Sequence, residues 1–326
     1  MTASIHRRHV LTAATLAFAL AGTASAQAPA YPAKAITFVV PFAAGSATDQ
    51  LARALGQSVT TDTKQPVVVD NKAGASGMIA AQAAAKAAPD GYTVLITTNT
   101  THAANEHLYK KLSYDPVKDF APVTGLGKGG QVLVVNASSP YKSVADLLAA
   151  AKKDPGKLSF GSGSSSSRMA GEMLKQLAHV DILHVPYKSN PLAITDLLGG
   201  QISMMITDTS TGVPQIKSGK LRALGYSTQK RSAQLPDVPT IAEAGVKGYD
   251  MGYWFAAYVP AGTPAPVVAR LNELLTHATK SAAAKSFFDN AGSEAWTTTP
   301  EELAKFQAAE TQKWGKVIKA AGIEPE

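Results

Sequence analysis

The feature of this 326-residue chain that most restricts its fold is an alternation of short apolar runs with alanine-rich amphipathic segments. Residues Ile36–Val40 are almost continuously apolar and β-branched, which is typical of a strand buried on both faces. A helical pattern over 48–59 follows, and strand, helix and strand patterns come next at 67–69, 78–88 and 93–97. Strands separated by helices pair in parallel through right-handed crossovers. The alternation therefore predicts an α/β fold.

A second series of the same kind begins at residue 131. It predicts strands at 132–135, 157–160, 182–185, 202–206 and 221–226, with helices at 143–152, 168–177 and 193–198. A strand pattern at 253–259 then leaves this series, and helices are predicted at 264–280 and 300–321. Two such series joined by two strand-like connections predict two lobes, each a mostly parallel sheet flanked by helices, with two hinge crossings.

The first 26 residues predict a secretory signal peptide. Arg7 and Arg8 form a positive segment, residues 10–21 are apolar, and the Ala-Ser-Ala tripeptide at 24–26 matches a cleavage site. The apolar run is shorter than the ~20 residues that span a bilayer. The paired arginines fit a twin-arginine signal, and a Sec signal fits equally well. We therefore expect a soluble product, exported to a bacterial periplasm or out of the cell.

The composition excludes several classes of function. The chain has no cysteine, which removes disulfide frameworks, iron–sulfur clusters and thiol nucleophiles. Its formal net charge of +7 is scattered, so no stripe suited to nucleic acid is present and a preference for anions is only hinted at. His102 and Glu106 lie four apart without a suitably spaced third metal ligand. The G-x-G-x-x-G pattern at 125–130 precedes a strand instead of opening a helix, as dinucleotide binding requires. We expect neither metal nor cofactor.

Two loops of small residues hold equivalent places in the two series, each between a strand and a helix. The candidate ligand-binding residues are Phe42, Ala43, Gly45, Ser46, Thr48 and Asp49 in the first loop, and Ser162, Ser164, Ser165, Ser166 and Arg168 in the second. Free amides and the positive end of a helix suit an anion at such a place, which is where open α/β sheets bind ligands. An ordinary tight turn and a flexible loop capped by Ser167 are the alternatives. Because the two loops are placed alike, we predict that their helix starts face one cleft.

Two further loops follow strands and are candidates for the same cleft. The loop at 97–102 offers hydroxyls, including that of Thr100, and Asn105 follows it. Asp208 begins the matching loop at 208–211. A plain cap or turn accounts for each loop equally well. The aromatic triplet at 253–255 is predicted as core in preference to cleft wall.

Several different short motifs follow one another along the chain from residue 31 onward. They include Val40-Pro41-Phe42-Ala43-Ala44-Gly45 with Asp49, Pro89-Asp90-Gly91-Tyr92, Tyr114-Asp115-Pro116, Lys118-Asp119-Phe120, His184-Val185-Pro186-Tyr187-Lys188, Leu235-Pro236-Asp237-Val238-Pro239-Thr240 and Pro260-Ala261-Gly262-Thr263-Pro264. Taken together and in this order, they resemble the substrate-binding proteins of tripartite tricarboxylate transporters, also called the Bug or TctC-like family.

The resemblance implies a type II periplasmic binding protein of the Venus-flytrap kind. Its final helices would pack back on the first lobe, so lobe 1 would be residues 27–127 and 253–326, and lobe 2 residues 128–252. It also implies a carboxylate ligand held between the two loops and delivered to a permease with one large and one small membrane subunit. Such a protein is not an enzyme, and we expect it to be a monomer.

Two positions depart from the pattern of that family. Ser46 stands where a second glycine is usual, and Arg168 stands where a histidine or a neutral residue is common. A guanidinium in the cleft favours a ligand with a second carboxylate, because its planar fork matches that group. We therefore expect a dicarboxylate, for which terephthalate is an aromatic candidate. A ligand-loaded partner of a receptor kinase and an enzyme on the same fold are the alternatives.

Overall fold

A mixed sheet of ten strands forms the centre of the described molecule. The computed structural model describes residues 31–320 and 322–325, so the signal peptide predicted at 1–26 lies outside the described residues. The strands are β1 (Ile36–Val40), β2 (Val67–Asn71), β3 (Thr93–Thr98), β4 (Phe120–Asn136), β5 (Ser159–Ser162), β6 (Leu183–Pro186), β7 (Met204–Asp208), β8 (Leu221–Tyr226), β9 (Gly252–Pro260) and β10 (Glu294–Ala295).

Helices flank this sheet. They are α1 (Ala47–Thr63), α2 (Met78–Ala85), α3 (Asn105–Leu108), α4 (Val144–Lys153), α5 (Ser165–Ala178), α6 (Asn190–Leu198), α7 (Thr209–Lys217), α8 (Ala265–Ala278), α9 (Ala282–Ala291) and α10 (Pro300–Ala320). A π-helical turn, Thr100–Ala104, leads into α3. Within the described residues, no helix has both the length and the apolar character needed to cross a membrane.

The strand order gives the molecule its two lobes. The order is β2-β1-β3-β9-β4-β7-β5-β6, and β8 and β10 also pair with β4. The pairs β1–β2, β1–β3, β5–β6 and β5–β7 are parallel, as the sequence predicts. Strands β4 and β9 run antiparallel to their neighbours. Strand β4 pairs with β9 up to Gly130, with β7 from Gln131 and with β8 from Val132, so it belongs to both halves.

We call the two halves lobe 1 and lobe 2. Lobe 1 holds β1–β3, β9, β10 and the first part of β4, and lobe 2 holds the rest of β4 with β5–β8. The fold is therefore the predicted two-lobed α/β architecture, with β4 and β9 as the crossing strands. The residue limits given above for the lobes stay a prediction. Helices α8 and α9 pack on α1, and α10 packs on β4 and the π-helical turn.

The glycines at 125–130 serve close packing of aromatic rings on β4. A Cβ added at Gly125 would lie 2.5 Å from the ring of Trp296, and one at Gly127 would lie 2.6 Å from that of Phe288. Either distance is far inside van der Waals contact, so only glycine allows these rings to rest on the strand. This packing gives the pattern a structural reason that has nothing to do with nucleotides.

Three local predictions need correction. Helix α5 starts at Ser165 instead of 168, because Ser164 and not Ser167 is its cap: the Ser164 hydroxyl oxygen accepts the Ser167 N–H at 3.2 Å. Most of the predicted serine loop is thus a first helical turn. Residues 209–211, predicted as loop, begin α7, and Asp208 caps that helix. In the predicted loop at 97–102, the first two residues end β3 and the last three belong to the π-helical turn.

Candidate functional site

A narrow cavity of about 30 Å³ lies between the two lobes, at the ends of β1, β3, β5 and β7. We call it the interlobe cavity. Six of the predicted site residues line it: Phe42, Ser46, Thr48, Ser164, Ser166 and Asp208. Thr98, from the loop at 97–102 that the sequence offered for this cleft, lines it as well. Tyr253 and Phe255 also line it, so the preference for core over cleft wall was wrong for these two residues. The other lining residues were not predicted: Ala47, Gln131, Gly163 and Asn190.

The start of α1 presents two backbone donors to this cavity. Ser46 is the N-cap, with an extended backbone, and its hydroxyl oxygen accepts the Asp49 N–H at 3.3 Å. The N–H groups of Ala47 and Thr48 come before any intrahelical acceptor and meet no other acceptor among the described residues. Both residues line the cavity. This helix start is therefore equipped to bind an anion.

Asp49 organises the first loop from outside the cavity lining. Its Oδ2 accepts the Gly45 N–H at 2.9 Å and the Arg53 Nε–H at 3.1 Å, and Arg53 also lies 2.9 Å from Oδ1. Burial alone would raise the pKa of Asp49, but the hydrogen bonds from Arg53, Gly45 and Asn71 and the charge of Arg53 outweigh it and lower the pKa. The Gly45 amide is consequently occupied. Gly45 and Ala43 lie outside the cavity lining as well.

The start of α5 repeats the arrangement in lobe 2. The N–H groups of Ser165 and Ser166 are the first two of the helix, and neither has an acceptor among the described residues. The preceding Gly163 N–H donates to Asn190 Oδ1 at 3.0 Å. Asn190 is the first residue of α6, so this bond joins the starts of two helices.

Asp208 draws the starts of α6 and α7 together at the cavity. Its Oδ1 accepts the Thr211 N–H at 2.9 Å and the Ser210 hydroxyl at 2.7 Å, while its Oδ2 accepts the Asn190 Nδ2–H at 2.7 Å. Four helices, α1, α5, α6 and α7, thus begin at the cavity. The carboxylate of Asp208 already caps α7, whereas the positive ends of α1 and α5 favour a bound anion. The lining contains no Lys, Arg or His side chain.

Four predicted residues tie the lobes together beside the cavity, in two pairs. The Ser165 hydroxyl of lobe 2 donates to Asn105 Oδ1 of lobe 1 at 2.8 Å, and both residues are buried. Asn105 is itself fixed, because its Nδ2 donates to the Ser76 carbonyl at 2.9 Å. The hydroxyl oxygens of Thr100 and Ser166 lie 3.5 Å apart across the same contact.

Arg168 and Ser162 line a second, adjoining cavity of about 110 Å³. Arg168 follows Ser166 by two positions on α5, a rotation of about 200° around the helix, so the two side chains leave it on opposite sides. Ser164 lines both cavities. A ligand confined to the interlobe cavity would therefore not reach Arg168.

A sequence pattern could have indicated some of these lining residues and not others. Tyr253 and Phe255 occupy alternate positions of β9 and so share a face, which strand periodicity implies. Trp254, between them, turns to the other side and donates its indole N–H to Glu310 at 3.1 Å. No sequence pattern indicates Gln131, because it reaches the cavity only through the exchange of strand partners on β4.

Comparison with known proteins identifies the family. The family model described as "Tripartite tricarboxylate transporter family receptor" matches residues 51–323. The chain belongs to this family. A curated relative, the UPF0065 protein in the tcbD-tcbE intergenic region of a Pseudomonas species (strain P51), is 38% identical over 97% of this chain and 95% of its own length.

Solved structures of similar proteins agree with this assignment of the chain, which we call the receptor from here on. Rpa4515 of R. palustris, solved with adipate, superposes with a TM-score of 0.88 at 36% identity, over 91% of the receptor and 100% of that chain. The periplasmic binding protein BugD gives 0.87 at 33% over 91% and 100%. MatC of Rhodopseudomonas palustris, with bound malate, gives 0.84 at 31% over 88% and 100%. The receptor is thus a periplasmic solute-binding protein of the Bug and TctC type.

Proposed function

We propose that this receptor captures a small carboxylate in the interlobe cavity and delivers it to the large and small membrane subunits of a tripartite tricarboxylate permease. The observation that carries the proposal is the pair of helix starts, one in each lobe, whose unoccupied N–H groups adjoin one cavity. Backbone donors and helix ends, with no cationic side chain in the lining, suit a carboxylate. Adipate and malate in two similar proteins support the same class of ligand.

We propose further that the ligand is a dicarboxylate. Each helix start can take one carboxylate, the α1 amides of Ala47 and Thr48 at one end and the α5 amides at the other. Phe42, Tyr253 and Phe255 supply apolar walls for the body of the ligand, which keeps an aromatic acid such as terephthalate among the candidates. A contact with Arg168 would require a ligand that extends past Ser164 into the adjoining cavity.

Binding without chemical change is part of the proposal. The acidic side chain in the lining, Asp208, is engaged by amide and hydroxyl donors, which leaves it poorly placed as a general base. A ligand recovered unchanged by mass spectrometry after long incubation would agree with this. The proposed site of action is the periplasm, reached through the signal peptide at 1–26.

The ligand class is tested by a thermal-shift screen of mono-, di- and tricarboxylates. A ligand at about 100 times its dissociation constant adds about 2.7 kcal/mol to stability, which is readily seen. We expect dicarboxylates to give the largest shifts. A screen in which no carboxylate stabilises the protein would contradict the proposal.

The helix-start contact is tested by Ala47→Pro, which removes one cavity-facing N–H. Proline is well tolerated at the first position of a helix, and Ser46 already has the extended backbone that precedes proline. A hydrogen bond to a charged group contributes about 1.5–3 kcal/mol, so affinity should fall about 10- to 100-fold. The matched control is Ala282→Pro, because Ala282 also follows a capping serine at the start of a helix but lies outside the cavity.

A further inference from the structure

The side chain of Gln131 lies in the lining of the interlobe cavity, and no group among the described residues donates a hydrogen bond to its Oε1. Gln131 is 1% exposed, and its Oε1 is buried and unpartnered. Its backbone is fully engaged: the N–H donates to the Ser227 hydroxyl at 2.7 Å, and the carbonyl accepts the Ser227 N–H at 2.8 Å. The backbone hydrogen bonds thus fix Gln131 in place, while the described residues leave the oxygen of its side-chain amide without a hydrogen bond.

The hydrogen-bond donors nearest to Gln131 along the sheet already bind another acceptor, Asp208. Gln131 on β4 pairs with Asp208 on β7, so the two side chains project from the same face of the sheet. Asp208 receives the Asn190 amide and the hydroxyls of Ser210 and Thr211. A buried amide oxygen without a donor costs about 1–3 kcal/mol, so the site calls for an occupant that supplies one.

The chemistry of this end of the cavity selects the group that meets Gln131. An ionised carboxylate only accepts hydrogen bonds, so it cannot satisfy Oε1. A carboxylate here would also face the negative charge of Asp208, with no cationic side chain in the lining. A hydroxyl group can donate a hydrogen bond to the Oε1 of Gln131 and can accept one from its Nε2. It therefore complements both polar atoms of the side-chain amide.

We propose that Gln131 is a specificity-determining residue that accepts a hydrogen bond from a hydroxyl group of the ligand. The ligand is accordingly a hydroxy-substituted carboxylate, distinguished by Gln131 from the acid that lacks the hydroxyl. This inference rests on the proposed function, because it assumes that a carboxylate occupies the interlobe cavity. It goes beyond it by assigning a third polar contact away from the helix starts.

The test uses pairs of acids that differ by one hydroxyl: malate and succinate, 3-hydroxybutyrate and butyrate, and 4-hydroxybenzoate and benzoate. Titration calorimetry compares the wild-type protein with Gln131→Leu, which keeps the bulk of the side chain and removes its amide. For the pair that binds most tightly, the wild-type protein should prefer the hydroxy acid about 10-fold, as one hydrogen bond of about 1–1.5 kcal/mol provides. In Gln131→Leu the preference should fall below twofold, through weaker binding of the hydroxy acid alone.

Each outcome separates the two proposals. Unchanged binding of the plain acid by Gln131→Leu shows that the variant is folded and its helix starts are intact. The control Gln57→Leu, on the exposed side of α1, should keep the full preference. Equal affinities within every pair for the wild-type protein, or a preference that survives in Gln131→Leu, would overturn the role of Gln131. Absence of binding by every acid would instead overturn the proposed function, and this inference with it.

Discussion

Asp49 is a carboxylate beside a proposed anion site, and its hydrogen bonds show why the two are compatible. Its charge is shared with Arg53 and the Gly45 amide, so it is neutralised within the loop. The sequence left two possibilities for Asp49, a ligand contact and a first-turn carboxylate. Its position outside the cavity lining favours the second. What the sequence could not supply was the direction of the side chain, which depends on how the loop closes on Arg53.

We expect Asp49→Ala to lower the free energy of unfolding by about 1–3 kcal/mol, because it leaves the Gly45 amide without its acceptor. Because Arg53 is half-exposed, solvent weakens its ion pair with Asp49, and we expect a loss of stability toward the lower end of this range. The pKa of Asp49 is lower in the folded state than the ordinary value of about 3.9. Its ionised form therefore stabilises the fold above that value, and this contribution is lost as the pH falls through the folded pKa.

Urea unfolding of both proteins from pH 7 down to pH 3 measures this effect. The difference in unfolding free energy should be constant near neutrality and shrink below about pH 4. A difference of the same size at pH 3 and pH 7 would show that the charge of Asp49 contributes nothing. Lys34→Ala is a useful comparison, since it breaks an exposed ion pair with Asp90 and should change stability little.

At the scale of elements, the sequence predicted the strands better than the helix starts. A strand buried on both faces must be apolar throughout, so β1 was found at its observed limits. Strand β8 was also found at its observed limits, although Arg222 interrupts its apolar run. The start of α5 was misplaced by three residues, because four consecutive serines are equally good caps by composition. Only the path of the preceding strand decides that Ser164 is the cap.

The hydrogen bond between Ser165 and Asn105 joins α5 to lobe 1, and its removal should weaken ligand binding. Ser165 is not the cap of α5, so Ser165→Ala removes the interlobe bond without removing the capping interaction. A bond of about 1–1.5 kcal/mol that forms only when the lobes meet would lower affinity roughly 5- to 10-fold. Stopped-flow or calorimetric titration with the best dicarboxylate measures this.

The control for that variant is Ser286→Ala, an exposed serine on α9 that should leave affinity unchanged. Ser164→Ala offers a contrast, since it removes a helix cap and should lower stability by about 0.5–2 kcal/mol. Identical dissociation constants for Ser165→Ala and the wild-type protein would mean that the bond does not contribute to closure.

At the scale of the whole molecule, the two crossing strands explain why lobes predicted separately meet in one site. Both series and both crossings were predictable from the sequence, because each series has its own run of strands and helices and a strand pattern lies at either connection. The exchange of partners on β4 between Gly130 and Gln131 has no local sequence pattern, because it depends on which strands lie beside β4 and not on these two residues themselves. Gln131, which this exchange brings into the cavity lining, was therefore missed by sequence reasoning.

Two lobes connected by two strands can close on a ligand that contacts both. A ligand bridging the starts of α1 and α5 binds the closed arrangement more tightly than an open one, and it shifts the equilibrium by that difference in affinity. We expect small-angle scattering to give a smaller radius of gyration at saturating dicarboxylate than without it. Ala47→Pro, measured at the same ligand concentration, should keep the unliganded radius because one of its two anchoring sites is weakened. If calorimetry shows full occupancy while the scattering curve of the wild-type protein does not change, the ligand binds without closing the lobes.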